Sequence, residues 1–234
     1  AGRAAPRGPV PDGWLSSAGA YYTEYTAKLR EMAKFTGQFT VPPAPPAPHR
    51  PETVYYFFGL EDRSAGALTS IHQPVLTWGD ETEGGLGGWH LWSWTCCPRN
   101  VTWHSEDIAG VGPGDTIYGR IEKTADATWT IDSAFRDGSG AWQNTTLVSQ
   151  VGDYNFNYAD VTLEVYNISD CEQMPHGTSD FTELEISLSD GSSWVPPTWY
   201  VTGSSTACEP ATKIHNAKTI SISTNGGSVD ELTV

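Results

Sequence analysis

Ala159-Asp160-Val161-Thr162-Leu163-Glu164-Val165-Tyr166 alternates without a break. In an extended chain successive side chains point to opposite faces. Val161, Leu163 and Val165 therefore share one face, and Asp160, Thr162, Glu164 and Tyr166 the other. The apolar face packs into a core. The opposite face sets two carboxyls, a hydroxyl and a phenol in a row, which is either an ordinary solvated surface or the wall of a site.

The same reading extends in both directions. Val54–Leu60, Leu68–Trp78, Trp89–Thr95, Thr116–Glu122, Thr128–Phe135, Thr145–Val151, Phe181–Leu188, Trp199–Val201 and Thr219–Thr224 alternate or are rich in β-formers, and Gly, Asp, Asn and Pro separate them. Short strands at this spacing predict an all-β fold, a two-sheet antiparallel β-sandwich of jelly-roll, concanavalin-like type. Phe35–Val41 also alternates, and the run 42–48 after it, rich in proline, reads as a stiff connector. One helix is expected before it: Ala18, Tyr21, Tyr22, Tyr25, Leu29, Met32 and Ala33 follow helical spacing, with Ser16 or Ser17 as cap. The expected organisation is an N-terminal extension with this helix over 1–34 and a single β-sandwich domain over 35–234, the first 15 residues being a flexible or processed terminus.

The chain has 234 residues, and 13 basic against 28 acidic side chains give a formal charge of −15. Such a surface repels phosphate and excludes nucleic acid as a partner. No stretch approaches the roughly 20 apolar residues of a membrane span, and no signal-peptide core is visible. The four cysteines, Cys96, Cys97, Cys171 and Cys208, lack zinc-type spacing. A Cys171–Cys208 disulfide is the first expectation, with Cys96 and Cys97 left unassigned. Sequons at Asn100, Asn144 and Asn167 in such a chain favour a secreted, extracellular glycoprotein.

Most catalytic signatures are missing. There is no Gly-x-Ser-x-Gly elbow, no His-Glu-x-x-His, no phosphate loop, and no two histidines four residues apart; no metal site and no cofactor is expected. Ile71-His72-Gln73-Pro74-Val75-Leu76-Thr77-Trp78 reads as a strand interrupted by Pro74, which predicts an edge or a bulge. Gly84-Gly85-Leu86-Gly87-Gly88 then leads into Trp89-His90-Leu91-Trp92-Ser93-Trp94, where Trp92 and Trp94 share a face opposite Trp89. These indoles either fill the core or stack on a ligand.

Taken in order, these segments resemble the glutamic peptidases of the eqolisin type, secreted acid endopeptidases. Phe35-Thr36-Gly37-Gln38-Phe39-Thr40-Val41-Pro42 is similar to the family's opening strand, and Phe57-Phe58-Gly59-Leu60-Glu61-Asp62 to its Trp-Val-Gly-Ile-Asp-Gly. Gln73 falls where the family has its catalytic glutamine, with Trp78 five residues on. Trp89–Trp94 resembles the aromatic strand and Pro113-Gly114-Asp115 the family's turn. The segment 159–164 resembles Ala-Glu-Trp-Ile-x-Glu, whose last residue is the catalytic glutamate.

The resemblance implies a dyad of Gln73 and Glu164 acting on a peptide through an activated water. It names Phe57, Glu61, Trp78, Trp89, Trp92, Trp94 and Asp160 as candidate substrate contacts. Phe57 replaces the family's tryptophan, Glu61 its aspartate and Asp160 its first glutamate. A non-catalytic binding module that grips glycan, or a self-assembling extracellular structural protein, is the alternative on the same architecture.

Overall fold

In the computed structural model the described residues are 14–23, 30–46, 52–63, 70–79, 87–96, 101–151, 154–168, 171–190, 198–202, 208 and 210–224. They form fifteen strands: β1 Trp14–Thr23, β2 Met32–Thr40, β3 Thr53–Asp62, β4 Ser70–Trp78, β5 Trp89–Cys96, β6 Trp103–His104, β7 Ile108–Val111, β8 Thr116–Ala125, β9 Thr128–Arg136, β10 Trp142–Gln150, β11 Phe156–Tyr166, β12 Thr178–Leu188, β13 Tyr200–Val201, β14 Ala211–Asn216 and β15 Thr219–Ser223. One sheet runs β13-β1-β11-β3-β4-β5-β6, with β7 also paired to β5; the other runs β10-β9-β8-β2-β12-β15-β14. The chain is thus the expected two-sheet antiparallel sandwich.

The inner faces of the two sheets meet over one core. Val161, Leu163 and Val165 of β11 are wholly buried there with Val54, Tyr56, Phe58 and Leu60 of β3 and with Phe35 and Phe39 of β2. Phe58 packs across the two sheets. Gly37 and Gly119 lie side by side on β2 and β8. A Cβ at Gly119 would sit 2.6 Å from the Phe58 ring and 2.6 Å from Pro74 Cγ. The two bare glycines make the hollow that these side chains fill.

The helix expected over 16–34 is absent. Residues 14–23 form β1, inserted between β11 and β13, and β2 begins at Met32; residues 24–29 lie outside those described. Ala20 and Tyr22 enter the core, while Tyr21 on the opposite face stacks on Tyr158. The apolar spacing suited either period. Tyr and Thr favour strands, Gly19 disfavours a helix, and β11 offers an unpaired ladder to add to. Among the described residues the helical structure is a 3-10 turn, Cys171–Gln173.

Pro74 is neither at an edge nor in a bulge. β4 is an interior strand between β3 and β5. Its ladder to β3 runs from Val54↔Trp78 to Phe57↔Val75 and resumes at Leu60↔His72 in the same register. Pro74 therefore faces Phe58, and Gln73 faces Gly59, across a gap in the hydrogen bonding. The missing proline N–H falls in that gap, and the ring's packing on Gly119 gives the interior position its compensation.

Cys171 and Cys208 form the expected disulfide, closing a separation of 37 residues. Cys96 is also disulfide-bonded, and Cys97 lies outside the described residues. β10 forms a margin of the smaller sheet, where the Thr145 carbonyl accepts from Ser93 Oγ and the Thr145 hydroxyl donates to the Glu106 carbonyl.

Candidate active site

The site is built on the outer face of the larger sheet, the side turned away from the core. Alternation puts Tyr158, Asp160, Thr162, Glu164 and Tyr166 of β11 on that face, beside Tyr55, Phe57, Gly59 and Glu61 of β3. Ile71, Gln73, Val75 and Thr77 of β4 and His90, Trp92, Trp94 and Cys96 of β5 continue it. Phe57, Ile71 and Val75 form a small second hydrophobic cluster there, with Tyr55, Trp94 and Cys96 packed around it. The polar groups of the site consequently stand on an apolar floor.

The pairing fixes which side chains lie abreast. Glu164 pairs with Tyr55, which pairs with Thr77, which pairs with His90. Thr162 lies abreast of Phe57, Val75 and Trp92. Asp160 pairs with Gly59, which faces Gln73, which pairs with Trp94. Gln73 and Glu164 therefore share a face but not a row: they are two strands and four residues apart, on a diagonal that crosses Phe57. Four residues at about 3.3 Å and two strand spacings at about 4.8 Å put their Cα atoms roughly 16 Å apart, at the limit of two extended side chains bridged by one water. Asp160 is the β11 carboxyl directly across from Gln73.

The three carboxyls influence one another. Burial raises Glu164 from 4.5 to about 7; a hydrogen bond from the Tyr166 hydroxyl at 3.3 Å opposes the rise, and the charge of Glu61 adds to it. Asp160 is pushed well above the usual range, first by burial and then by the charges of Glu61 and Glu164, while the Thr162 hydroxyl donates to its Oδ2. Burial also raises Glu61, against the ion pair that it makes with Arg63. Arg63 in turn lies over the Tyr158 ring, 4.1 Å from its centroid. Asp160 Oδ1 is buried with no hydrogen-bond partner, and the Gln73 amide has none among the described residues.

The tryptophans divide between the two faces. Trp89 belongs to the core, and Trp78 packs against the same core, donating its indole N–H to Glu52. Both turn to the core side of the sheet, away from the outer face that carries Gln73 and Glu164. Trp92 and Trp94 remain outward; Trp94 meets Tyr55 edge-on at 5.3 Å, and Trp92 meets His104 at 4.9 Å. Among the described residues no group of three or more His, Cys, Asp or Glu is placed to hold a metal ion.

No protein-family model and no curated protein matches the chain. Solved structures do. Scytalido-glutamic peptidase with a peptide-based transition-state analogue matches at 14% identity and TM-score 0.64, over 92% of this chain and all of that one. The same peptidase with a transition-state analogue inhibitor matches at 15% and 0.63 over the same shares. SCP-B, a member of the eqolisin family of peptidases in complex with the tripeptide Ala-Ile-His, matches at 15% and 0.61, again over 92% of this chain and all of that one. The fold is that of the eqolisin glutamic peptidases.

On this eqolisin fold the sequence reading had not picked out Tyr55, Thr77, Tyr158 or Arg63 as neighbours of the carboxyls. The signal lay in the alternation of β3, which sets Tyr55 on the same face as Phe57, Gly59 and Glu61. Tyr21 could be found only once β1 was known to be a strand of the eqolisin-like sheet. The glycine run at 84–86 and the sequon at Asn100 lie outside the described residues, whereas Asn144 and Asn167 are both exposed.

Proposed function

We propose that the protein hydrolyses peptide bonds, with Glu164 as general base and Gln73 as the residue that orients water and stabilises the oxyanion. The observation that carries the reading is the pair's common outer face within an eqolisin-like sandwich. In the reaction Glu164 accepts a proton as the water oxygen attacks the scissile carbonyl carbon, and the carbonyl π electrons move to oxygen. The Gln73 amide N–H donates to that oxyanion. As the C–N bond breaks, the proton returns from Glu164 to the leaving nitrogen. One such oxyanion donor is worth about 3 kcal/mol, or roughly 100-fold in rate or more. Trp94 supplies apolar surface for the peptide above the buried Phe57 and Trp92, and Glu61 raises the proton affinity of Glu164.

The reading extends to location. A disulfide at Cys171–Cys208 and exposed sequons at Asn144 and Asn167 fit an oxidising, extracellular setting. No helix among the described residues is long and apolar enough to cross a membrane.

The test is cleavage of a denatured protein by the wild type, Glu164→Gln and Gln73→Ala, from about pH 3 to about pH 8. Cleavage that survives inhibitors of serine, cysteine, aspartic and metallopeptidases, and falls by about 100-fold or more in both variants, supports the assignment. Full cleavage by either folded variant rejects it. Retention on a glycan array without cleavage would put a binding module in its place.

A further inference from the structure

Asp160 and Gln73 stand abreast across Gly59, over which the Ile71 side chain also reaches. Two strand spacings of about 4.8 Å set their Cα atoms roughly 10 Å apart. Asp160 covers part of that span: a Cβ at Gly59 would sit 2.6 Å from Asp160 Oδ1, so the carboxyl leans over the glycine, toward the Gln73 row. Ile71 closes over Gly59 from the other strand, its Cδ1 at 2.7 Å from the same point. Asp160 Oδ2 is already engaged by the Thr162 hydroxyl, but Oδ1 is buried without a partner. A buried polar atom left unpaired costs about 1–3 kcal/mol. Such an atom beside an unpartnered side-chain amide calls for an explanation.

We propose that Asp160 is a positioning residue for Gln73: a side-chain rotation over Gly59 brings its Oδ1 hydroxyl to Gln73 Oε1, so that the amide N–H is turned toward the substrate. The role rests on the hydrolase reading for its consequence, though not for its geometry. A glutamine amide is nearly symmetric in shape, and with its oxygen turned outward it would repel an oxyanion instead of stabilising it. A donor on the oxygen side removes that ambiguity. Burial next to Glu61 and Glu164 raises Asp160 well above the usual carboxyl range and so favours the protonated form that can donate. The oxygen that carries this proton is the one without a partner, since Oδ2 accepts from Thr162.

The experiment follows the Gln73 side-chain NH2 signals in the full-length 15N-labelled protein, assigned by their loss in Gln73→Met. Asp160→Ala is expected to move them well beyond the line width. Asp160→Asn, whose amide N–H can replace the hydroxyl donor, is expected to leave them near their wild-type positions. In turnover, Asp160→Ala should lower kcat by roughly 10- to 100-fold with KM little changed. Asp160→Asn should recover most of the loss, and Asp160→Ala should add nothing on the Gln73→Met background.

Signals that ignore Asp160→Ala, or losses that multiply in the double variant, overturn the proposal. Should Asp160→Ala fail to fold, Asp160→Asn decides: shifted Gln73 signals together with a kcat as low as that of Gln73→Met reject the donor role. An inert wild type whose Gln73 signals still report Asp160 rejects the hydrolase reading and leaves the contact standing. An active enzyme whose signals do not respond rejects the contact alone.

Discussion

Phe58 and Gly119 touch across the two sheets, the Phe58 Cζ atom standing 2.6 Å from where a Cβ on Gly119 would be. The fully buried ring also packs at 4.6 Å from Phe35 and at 6.3 Å from Phe39. It has no free volume to retreat into. Gly119→Ala is therefore expected to destabilise the fold by about 1–3 kcal/mol, as overpacking of a filled core does. A lower urea midpoint at an unchanged slope would show it. An unchanged midpoint would mean that the sheets can separate at no cost.

Glu164 must be ionised to accept a proton from water. With its carboxyl raised to about 7 by burial, the acid limb of kcat/KM should climb tenfold per pH unit and level off near neutrality. The sequence resemblance implied an optimum in acid; the apolar floor under Glu164 moves the ionised form upward. A profile already flat from about pH 5 would show that another group is the base.

The same carboxyl ties stability to pH. Its folded value lies above the unfolded 4.5, so the folded chain holds the proton more tightly. Its contribution is complete below about pH 4.5 and is lost as the pH rises through about 7. Glu164→Gln should remove its share of that loss, so that the fall in urea midpoint between about pH 5 and about pH 8 becomes shallower, while the raised Asp160 and Glu61 keep the remainder.

His72 acts in the opposite direction. It is fully buried, stacked on Phe156 at 4.3 Å and bonded to Thr95 through Nδ1, and burial lowers it from 6.5 to about 3. The unfolded chain takes up a proton below about pH 6.5 that the folded chain refuses, so stability falls from there toward pH 3. His72→Gln, which keeps a partner for Thr95 without the charge, should flatten that fall. An unchanged acid slope would place the acid sensitivity elsewhere.

Removing the Cys171–Cys208 link by a double Cys→Ser substitution frees a loop of 37 residues in separation. Chain entropy predicts a loss of about 4 kcal/mol. Calorimetric melting of the intact and the substituted protein would measure it.

Period-two alternation was enough to find the β11 face, because Val161, Leu163 and Val165 are fully buried and alternate strictly with polar residues that are mostly only partly buried. It was weaker where both faces are covered. β4 is almost continuously buried, and Pro74 concealed an interior strand because the compensating contact comes from Gly119, 45 residues away. β1 was misread because Ala18, Tyr21, Tyr22 and Tyr25 satisfy a helical repeat as readily as a strand's, and only its partner β11 decides between them. Candidate residues were legible one at a time. Which of them lie abreast depends on pairing register, and that is why Asp160, and not Glu164, turns out to face Gln73 across Gly59.

β10 has one more consequence. Its nine residues carry no charge and no proline, it shows no bulge against β9, and Val148 is 59% exposed. Natural sheets usually guard such a margin with lysines, prolines or kinks. Asn144, the third of the nine, is exposed on this strand and begins an Asn-Thr-Thr sequon. A sugar there would act as a bumper against stacking of neighbouring molecules. Light scattering that rises with concentration in unglycosylated protein, and less in protein with a sugar at Asn144, would reveal pairing along this margin.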